Sequence, residues 1–327
     1  MKVGKLSENV YKRSVLKELK HTSQEIINGA GIGEDCAILA FNEEEVFVTG
    51  ITTVTGITKD IGRIAVHRAA NDLAASGAEP VAVMFSLLLP ESEEEEELKQ
   101  IIRQAEETCQ QLNMQITGGY TEITKDIERP MLTVTGTGKM VKDRYYLTSS
   151  AKPEQDVVVS KWIGLEGTAI IAKERREELV KRFSPEYIDI AMGFDKYLSV
   201  IPEAATAGKS NAGAMHNVTH GGIFGALWQM AESSGVGLEI DLMKIPIRQE
   251  TVEICNYFDI NPYELMSSGC LLMTADNGYD LADSLNRNHI MASVIGKTTG
   301  SNDRLIINED EKRFLTPPVA DELYKII

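Results

Sequence analysis

Residues 59–80, K-D-I-G-R-I-A-V-H-R-A-A-N-D-L-A-A-S-G-A-E-P, constrain the fold more tightly than any other stretch of this chain. Asp60 can cap a helix start and Ser76-Gly77 suits a left-handed stop, so the pattern predicts a single helix between them. The interior of that helix is small. Ala65, Ala69, Ala70, Ala74 and Ala75 let another backbone approach closely, while Ile61, Ile64 and Leu73 supply ordinary apolar packing. Asn71 and Asp72 sit in the middle of this surface, where a polar pair is costly to bury without partners. The pair therefore either faces water or binds something.

Around the helix lies an ordinary globular chain of 327 residues, 43% hydrophobic and 25% charged, longer than one typical domain. Two domains are expected, at residues 1–147 and 148–327. The net charge of −16 excludes nucleic-acid backbone as a partner, because phosphate binding there needs a basic face. A nucleotide carried with a divalent cation stays open, since carboxylates hold the metal and the metal neutralises the phosphates. Cys36, Cys109, Cys255 and Cys270 form no C-x-x-C pair and no regular spacing, which argues for reduced thiols over a zinc ribbon or a disulfide framework. The first residues, M-K-V-G-K-L-S-E-N-V-Y-K-R, carry charge where a signal peptide needs an apolar core, and the longest apolar run, 81–90, is too short to cross a bilayer. A cytoplasmic protein without membrane contact is expected.

In chain order, residues 7–19 predict an amphipathic helix. The turn Gly29-Ala30-Gly31-Ile32-Gly33 follows, with Glu34 and Asp35 directly behind it. Glycines admit a ligand close to the backbone, and two adjacent acids can serve a cation. Strands are predicted at 37–41 and 45–55, and at 81–89, an apolar run suited to burial on both faces. The glutamates at 93–97 open a helix whose first turn suits the positive end of its dipole. A strand at 114–117 ends in a second glycine turn, Gly118-Gly119-Tyr120-Thr121-Glu122, and another strand covers 131–140. The second half predicts a strand at 156–160, helices at 168–180 and 191–207, a loop M-H-N-V-T-H-G-G at 215–222 and a helix at 223–233. Strands at 236–242, 269–274, 290–296 and 304–308 and helices at 251–257 and 279–286 complete it. Gly221-Gly222 before a helix start is an anion-binding arrangement, since free N–H groups and the helix dipole point outward together. His216 and His220 stand four apart, but on a loop and without a following Glu they do not make a zinc site. The order of elements predicts α+β layering, with helices on one face of a mixed sheet.

Four pieces taken together resemble the superfamily of aminoimidazole ribonucleotide synthetase (PurM-like), selenophosphate synthetase, thiamine-monophosphate kinase and the hydrogenase maturation protein that dehydrates a carbamoyl group. They are G-I-G-E-D-C-A, the 59–80 helix, G-G-Y-T-E-I-T, and I-G-L-E-G-T-A-I-I-A with M-H-N-V-T-H-G-G-I-F-G-A-L-W. The branch most resembled is the hydrogenase-maturation (HypE-like) one. The resemblance implies a two-domain α+β fold whose N-terminal domain dimerises through a β-barrel. It also implies ATP with Mg2+, activating an amide, carbonyl or other acceptor; such chemistry needs positioning and charge neutralisation more than covalent help. Carried over by position, Glu34, Asp35 and Asp72 fall on magnesium carboxylates. Gly31, Gly33, Asn71, Gly118, Gly119, Glu122, His216, Gly221 and Gly222 fall on or beside nucleotide-binding positions. No catalytic residue is assigned.

The chain departs from the family's pattern at Thr52, where an Asp is usual, at Tyr120, where Asp or His is usual, and at Asn217 and His220, which replace two acids. Lost carboxylates are lost oxygen ligands for hard cations, so two magnesium ions are hard to retain while one is feasible on Asp35 and Asp72. The resemblance to the carbamoyl dehydratase further demands a C-terminal cysteine acceptor; the last residues here are L-Y-K-I-I, and that specific activity is not expected. Two function classes follow. One is an ATP-dependent ligase- or kinase-like enzyme acting on an unknown small molecule, and the other is a relative without turnover that serves as a nucleotide-binding or assembly protein. A homodimer is expected, because the strand at 45–55 would otherwise leave an apolar face bare.

Overall fold

The computed structural model describes residues 8, 9, 12, 26–28, 31–34, 36–40, 44–56 and 58–327. Glu8, Asn9 and Lys12 are helical; the rest of the helix expected at 7–19 lies outside the described residues. The chain forms two compact units, one from the described residues within 22–29 and 35–145, the other from those within 1–21, 30–34 and 146–327.

The N-terminal unit contains β1 (Ile26–Asn28), β2 (Cys36–Ala40), β3 (Glu45–Thr55), α1 (Ile61–Ala75), β4 (Glu79–Pro90), α2 (Glu95–Gln111), β5 (Gln115–Thr124) and β6 (Met131–Val141). The strands form one sheet in the order β1-β2-β3-β6-β4-β5. Only β4 and β5, joined through α2, run parallel; the other pairs are antiparallel. Side chains alternate across a strand, and burial follows the alternation. Val46, Val48, Val54, Val83, Phe85, Leu87, Leu132 and Val134 are buried on the helix-covered face. On the other face Phe47, Ile51, Met84 and Val141 are exposed, with Ile51 at 66%. The apolar run in β4 is therefore covered on one face of this chain rather than on both.

Helix α1 is the centre of the unit. It lies on β3, β4 and β6 and against α2, and of its residues only Arg63 and Asp72 are not buried. Small side chains make this possible: a Cβ built on Gly62 would stand 2.2 Å from the Ile101 carbonyl oxygen of α2. The helix stop is as expected, with Gly77 at φ +90° and the Ala78 N–H closing back on Leu73 O at 3.1 Å. The start is not. The Asp60 side chain makes no cap hydrogen bond; instead Gln104 of α2 accepts from Gly62 N–H at 3.2 Å and donates to Lys59 O at 2.9 Å. The cap is supplied across the helix pair, which ties the start of α1 to the middle of α2.

The C-terminal unit contains β7 (Asp156–Ser160), α3 (Leu165–Glu174), α4 (Arg176–Leu179), α5 (Pro185–Met192), α6 (Ile201–Lys209), β8 (Met215–Val218), α7 (Gly222–Ser234), β9 (Gly237–Asp241), α8 (Gln249–Phe258), β10 (Cys270–Ala275), α9 (Gly278–Arg287), β11 (Ala292–Thr299), β12 (Arg304–Asn308) and β13 (Glu311–Phe314). Its sheet runs β13-β12-β9-β11-β7-β10-β8, antiparallel apart from β9 with β12. The core includes Val157, Val159, Leu227, Leu238, Leu272 and Ile295. The single helix expected at 191–207 is instead α5, a tight turn at Gly193–Tyr197 and α6, because Pro202 lacks the N–H needed to continue a helix and suits the first turn of a new one. Residues 215–218, expected in a loop, form β8 against β10. No helix among the described residues is long and apolar enough to cross a membrane.

An alanine in place of a glycine inside a helix ordinarily stabilises by about 1 kcal/mol. At Gly62 the sign should reverse, because the added methyl meets a backbone oxygen: Gly62→Ala should lose about 1–3 kcal/mol by urea denaturation. Equal or greater stability would mean that α1 and α2 are not packed this closely.

Candidate functional site

In the N-terminal unit the described residues singled out by sequence lie on three elements, α1, β3 and β5. Asn71 is wholly buried in α1, whereas its neighbour Asp72 is partly exposed, and each is engaged by other groups of the protein. The pair is thus split, one side chain facing inward and one outward. Thr52 pairs with Val134 of β6, on the face that α1 covers.

Gly118 and Gly119 do not form a turn. Strand β5 runs straight through them along β4, and they serve strand pairing: the register shifts at Val83/Met84 opposite Gly118, whose φ is +150°, and a Cβ on Gly119 would stand 2.5 Å from Phe85 O. A glycine pair reads as a turn in sequence, but here it permits a bulge and a close strand approach. Glu122 accepts a hydrogen bond from the Tyr120 hydroxyl at 2.8 Å, and that bond, with the carboxylate's charge, raises the Tyr120 phenol above its ordinary value. Both residues are exposed.

The first glycine turn is present as expected, but it belongs to the C-terminal unit. Ile32 and Gly33 form the turn, Gly33 at φ +73°, and Glu34 is half-buried; Asp35 lies outside the described residues. The Gly33 carbonyl accepts from Thr148 Oγ1 at 2.8 Å. Thr148 Oγ1 lies 3.0 Å from His216 Nδ1, His216 Nε2 lies 3.1 Å from Gln229 Oε1, and Gln229 Nε2 donates to Glu8 Oε1 at 2.9 Å. All four side chains are buried. His216, carried over as a cofactor position, therefore has both ring nitrogens engaged inside the protein and does not present them to a ligand. His220 is separate from it, its ring stacked on Tyr324 at 6.4 Å, and Asn217 is wholly buried in β8. Among the described residues no three His, Cys, Asp or Glu side chains gather as a metal cluster.

Gly221 and Gly222 do open helix α7 with left-handed φ of +76° and +59°. Their expected role as a phosphate cradle does not fit, because the chain itself fills the position. The Gly221 N–H donates to Asp321 Oδ2 at 2.7 Å, the Gly222 N–H to Thr219 O at 3.2 Å and the Phe224 N–H to Tyr263 O at 3.1 Å. Asp321 also accepts from Met266 N at 3.2 Å and Leu323 N at 2.9 Å. A side chain on Gly222 would meet Tyr263 O at 2.5 Å, so the glycine is needed for packing. Burial pushes the Asp321 carboxyl up to about 6 despite its three N–H donors, and the nearby Glu166 pushes in the same direction. Cys109, Cys255 and Cys270 are buried, with thiols pushed up to about 12 chiefly by that burial, so they are poor nucleophiles.

Asp321 and Thr148 were not legible as site residues. The Asp before E-L-Y-K carries a helix-cap signal, and Asp321 does cap that short turn, but its bond to Gly221 spans 100 residues and leaves no local pattern.

Residues 33–140 match the sequence model of the AIR synthase related protein N-terminal domain, and residues 152–308 match that of the C-terminal domain. The chain is 27% identical over 340 residues to a putative hydrogenase expression/formation protein of Methanocaldococcus jannaschii, covering 99% of this chain and 97% of that one. It is 28% identical over 270 residues to carbamoyl dehydratase HypE of Rhodobacter capsulatus, covering 82% of this chain and 76% of that one. Among solved structures, a ThiL complexed with AMPPCP and TMP superposes with a TM-score of 0.75 at 20% identity, over 96% of each chain. Hydrogenase maturation protein HypE in complex with ATP superposes with a TM-score of 0.73 at 18% identity, over 96% of this chain and 95% of that one.

The Asp321 carboxyl generates a prediction with a definite sign. Its value when folded, about 6, lies above the ordinary 3.8, so its contribution to stability is full below about pH 4 and is lost as pH rises through about 6. In Asp321→Asn that term is absent. The stability of the parent relative to the variant, from urea midpoints, should therefore fall as pH rises across this window; a difference that stays flat or rises would contradict the buried carboxyl.

Proposed function

Because the chain belongs to the AIR synthase related family, matched through both its N-terminal and its C-terminal domain, we propose that it is an ATP- and magnesium-dependent enzyme that phosphorylates or activates an oxygen of a small molecule. Relatives named carbamoyl dehydratase and selenide, water dikinase, and a solved HypE in complex with ATP, support the reaction class. The observation that carries the reading within this chain is Asp72, a partly exposed carboxylate on a helix otherwise buried almost throughout. A ligand carboxylate works best on a rigid support, and α1 is held by the sheet, by α2 and by the Gln104 cap.

In the N-terminal unit Asp72 is a partly exposed carboxylate, and in the C-terminal unit Glu34 is half-buried. Magnesium takes only one or two carboxylates and keeps several waters, so each of these, taken alone, would be able to serve it. When bound, the ion would bridge phosphate oxygens and offset the repulsion between a triphosphate and an acidic protein. The Gly31 to Gly33 turn would offer backbone to phosphates, and the exposed Gly118, Gly119 and Glu122 are retained as nucleotide contacts only within this proposal; Asn71, wholly buried, is not. Residues 1–147 would supply the metal carboxylates and the dimer face, and residues 148–327 the second domain.

The exposed apolar side chains Phe47, Ile51 and Met84 support a homodimer through the bare sheet face, with Ile51 and Met84 flanking Thr135 in one cross-strand row. A cytoplasmic location accords with the composition and the three buried thiols. A second reading, a nucleotide-binding protein without turnover, is favoured by Asn217 and His220, where the family's acids have become an interior amide and a ring stacked on Tyr324.

Three measurements test the proposal. Calorimetric titration with ATP should show binding that requires magnesium and that weakens about tenfold or more in Asp72→Asn, the loss expected for one charge-assisted ligand; unchanged affinity in the variant would remove Asp72 from the site. Sedimentation should give a dimer at micromolar protein that Ile51→Lys dissociates, and a monomeric parent would exclude the sheet-face dimer. ATP turnover in the magnesium-loaded parent separates the enzyme from the second reading.

A further inference from the structure

Glu8, Gln229, His216 and Thr148 form one buried line of hydrogen bonds that ends on the Gly33 carbonyl. Proton counting fixes much of its chemistry. A carbonyl oxygen only accepts, so the single hydroxyl proton of Thr148 goes to Gly33 O, and His216 Nδ1 must then bring its own proton to Thr148 Oγ1. On the other side the Gln229 amide gives N–H to Glu8 and turns its oxygen toward Nε2, so that nitrogen brings a proton as well. With the amide turned over, the extra proton lies between Gln229 and Glu8 instead. In both arrangements Nδ1 carries hydrogen, and each side chain of the line has a partner within it, as a buried polar network needs.

Glu8 and Lys12 each bond to a residue of helix α7. Lys12, four residues after Glu8, pairs with Glu232, three residues after Gln229, and Glu232 also holds Arg304 at 2.7 Å. Hydrogen bonds from Lys12 and Arg304 keep the Glu232 carboxyl below its ordinary value. We propose that His216 is a positioning residue, and that the contact of Glu8 with Gln229 is transmitted by His216 and Thr148 to the Gly31 to Glu34 turn. Its functional consequence rests on the reading of that turn as a contact for magnesium and nucleotide. The line itself does not.

The competing account is a satisfied core histidine that contributes to stability alone. Three measurements on the full chain separate the two. Two-bond nitrogen–proton correlation spectra, with the His216 ring identified by its absence in His216→Gln, should show Nδ1 protonated; a bare Nδ1 would overturn the line. Glu8→Ala should move the backbone amide signals of Gly33 and Glu34 while Glu8→Gln, which keeps an accepting oxygen, moves them less. Unmoved signals in Glu8→Ala would overturn the transmission. Thr148→Val should weaken magnesium-ATP binding about tenfold, the loss expected when one group is left misplaced, and Thr148→Ser should restore it. Parent-like affinity in Thr148→Val would leave His216 a structural residue. If the parent binds no magnesium-ATP, the nucleotide reading fails, and the ring and amide measurements alone judge the line.

Discussion

The close packing of α1 is the constraint on which the N-terminal unit depends. Gly62 lets the helix press on the α2 backbone at Ile101, and the alanines at 65, 69, 70, 74 and 75, all buried, complete its surface. With α1 and α2 on one face of the sheet, the other face is left with Phe47, Ile51 and Met84 in the open. The same packing turns Asn71 inward and leaves Asp72 at the margin. One helix thus accounts for both features on which a function was built: a carboxylate on a rigid base, and an apolar sheet face in need of a cover.

In the C-terminal unit the governing fact is that two positions resembling ligand sites are filled by the chain's own groups. A helix start with two left-handed glycines invites an anion, and it has one, the Asp321 carboxylate of the same chain. A buried histidine invites a ligand, and it has Thr148 and Gln229. Both positions read from sequence as ligand contacts, yet both are internal contacts here. Among the described positions carried over from the resemblance, Gly118, Gly119 and Glu122 are exposed, and the two carboxylates Glu34 and Asp72 are partly so. For a chain of net charge −16 this places the weight on a cation, since carboxylates repel a bare triphosphate.

Periodicity made much of the fold legible. Helix α1, the alternating strand β3 and the strands at 156–160 and 304–308 were read within a residue or so, because their patterns are long or cleanly bounded. The misreadings have physical causes. Gly118-Gly119 looked like a turn because glycine pairs usually are, but β4 lies close enough to need them within a strand. Residues 215–218 looked like a loop because of the glycines that follow, although all four are buried in a sheet. The cap on α1 came from Gln104, 42 residues from the Gly62 it serves, and the His216 to Thr148 contact spans 68 residues; such partners have no local signature. The first glycine turn and the α1 acid were visible as residue types, whereas what holds them in place was not.

The central claim of the proposed function is that a nucleotide's metal is held by Asp72 of the N-terminal unit and not at the start of α7. Titrating isotopically labelled protein with manganese-ATP, whose paramagnetic ion broadens only nearby signals, tests it directly. Broadening at Asp72 and its neighbours Asn71 and Leu73 is the predicted result. Broadening centred on Gly221 and Asp321 while Asp72 remains sharp would contradict it.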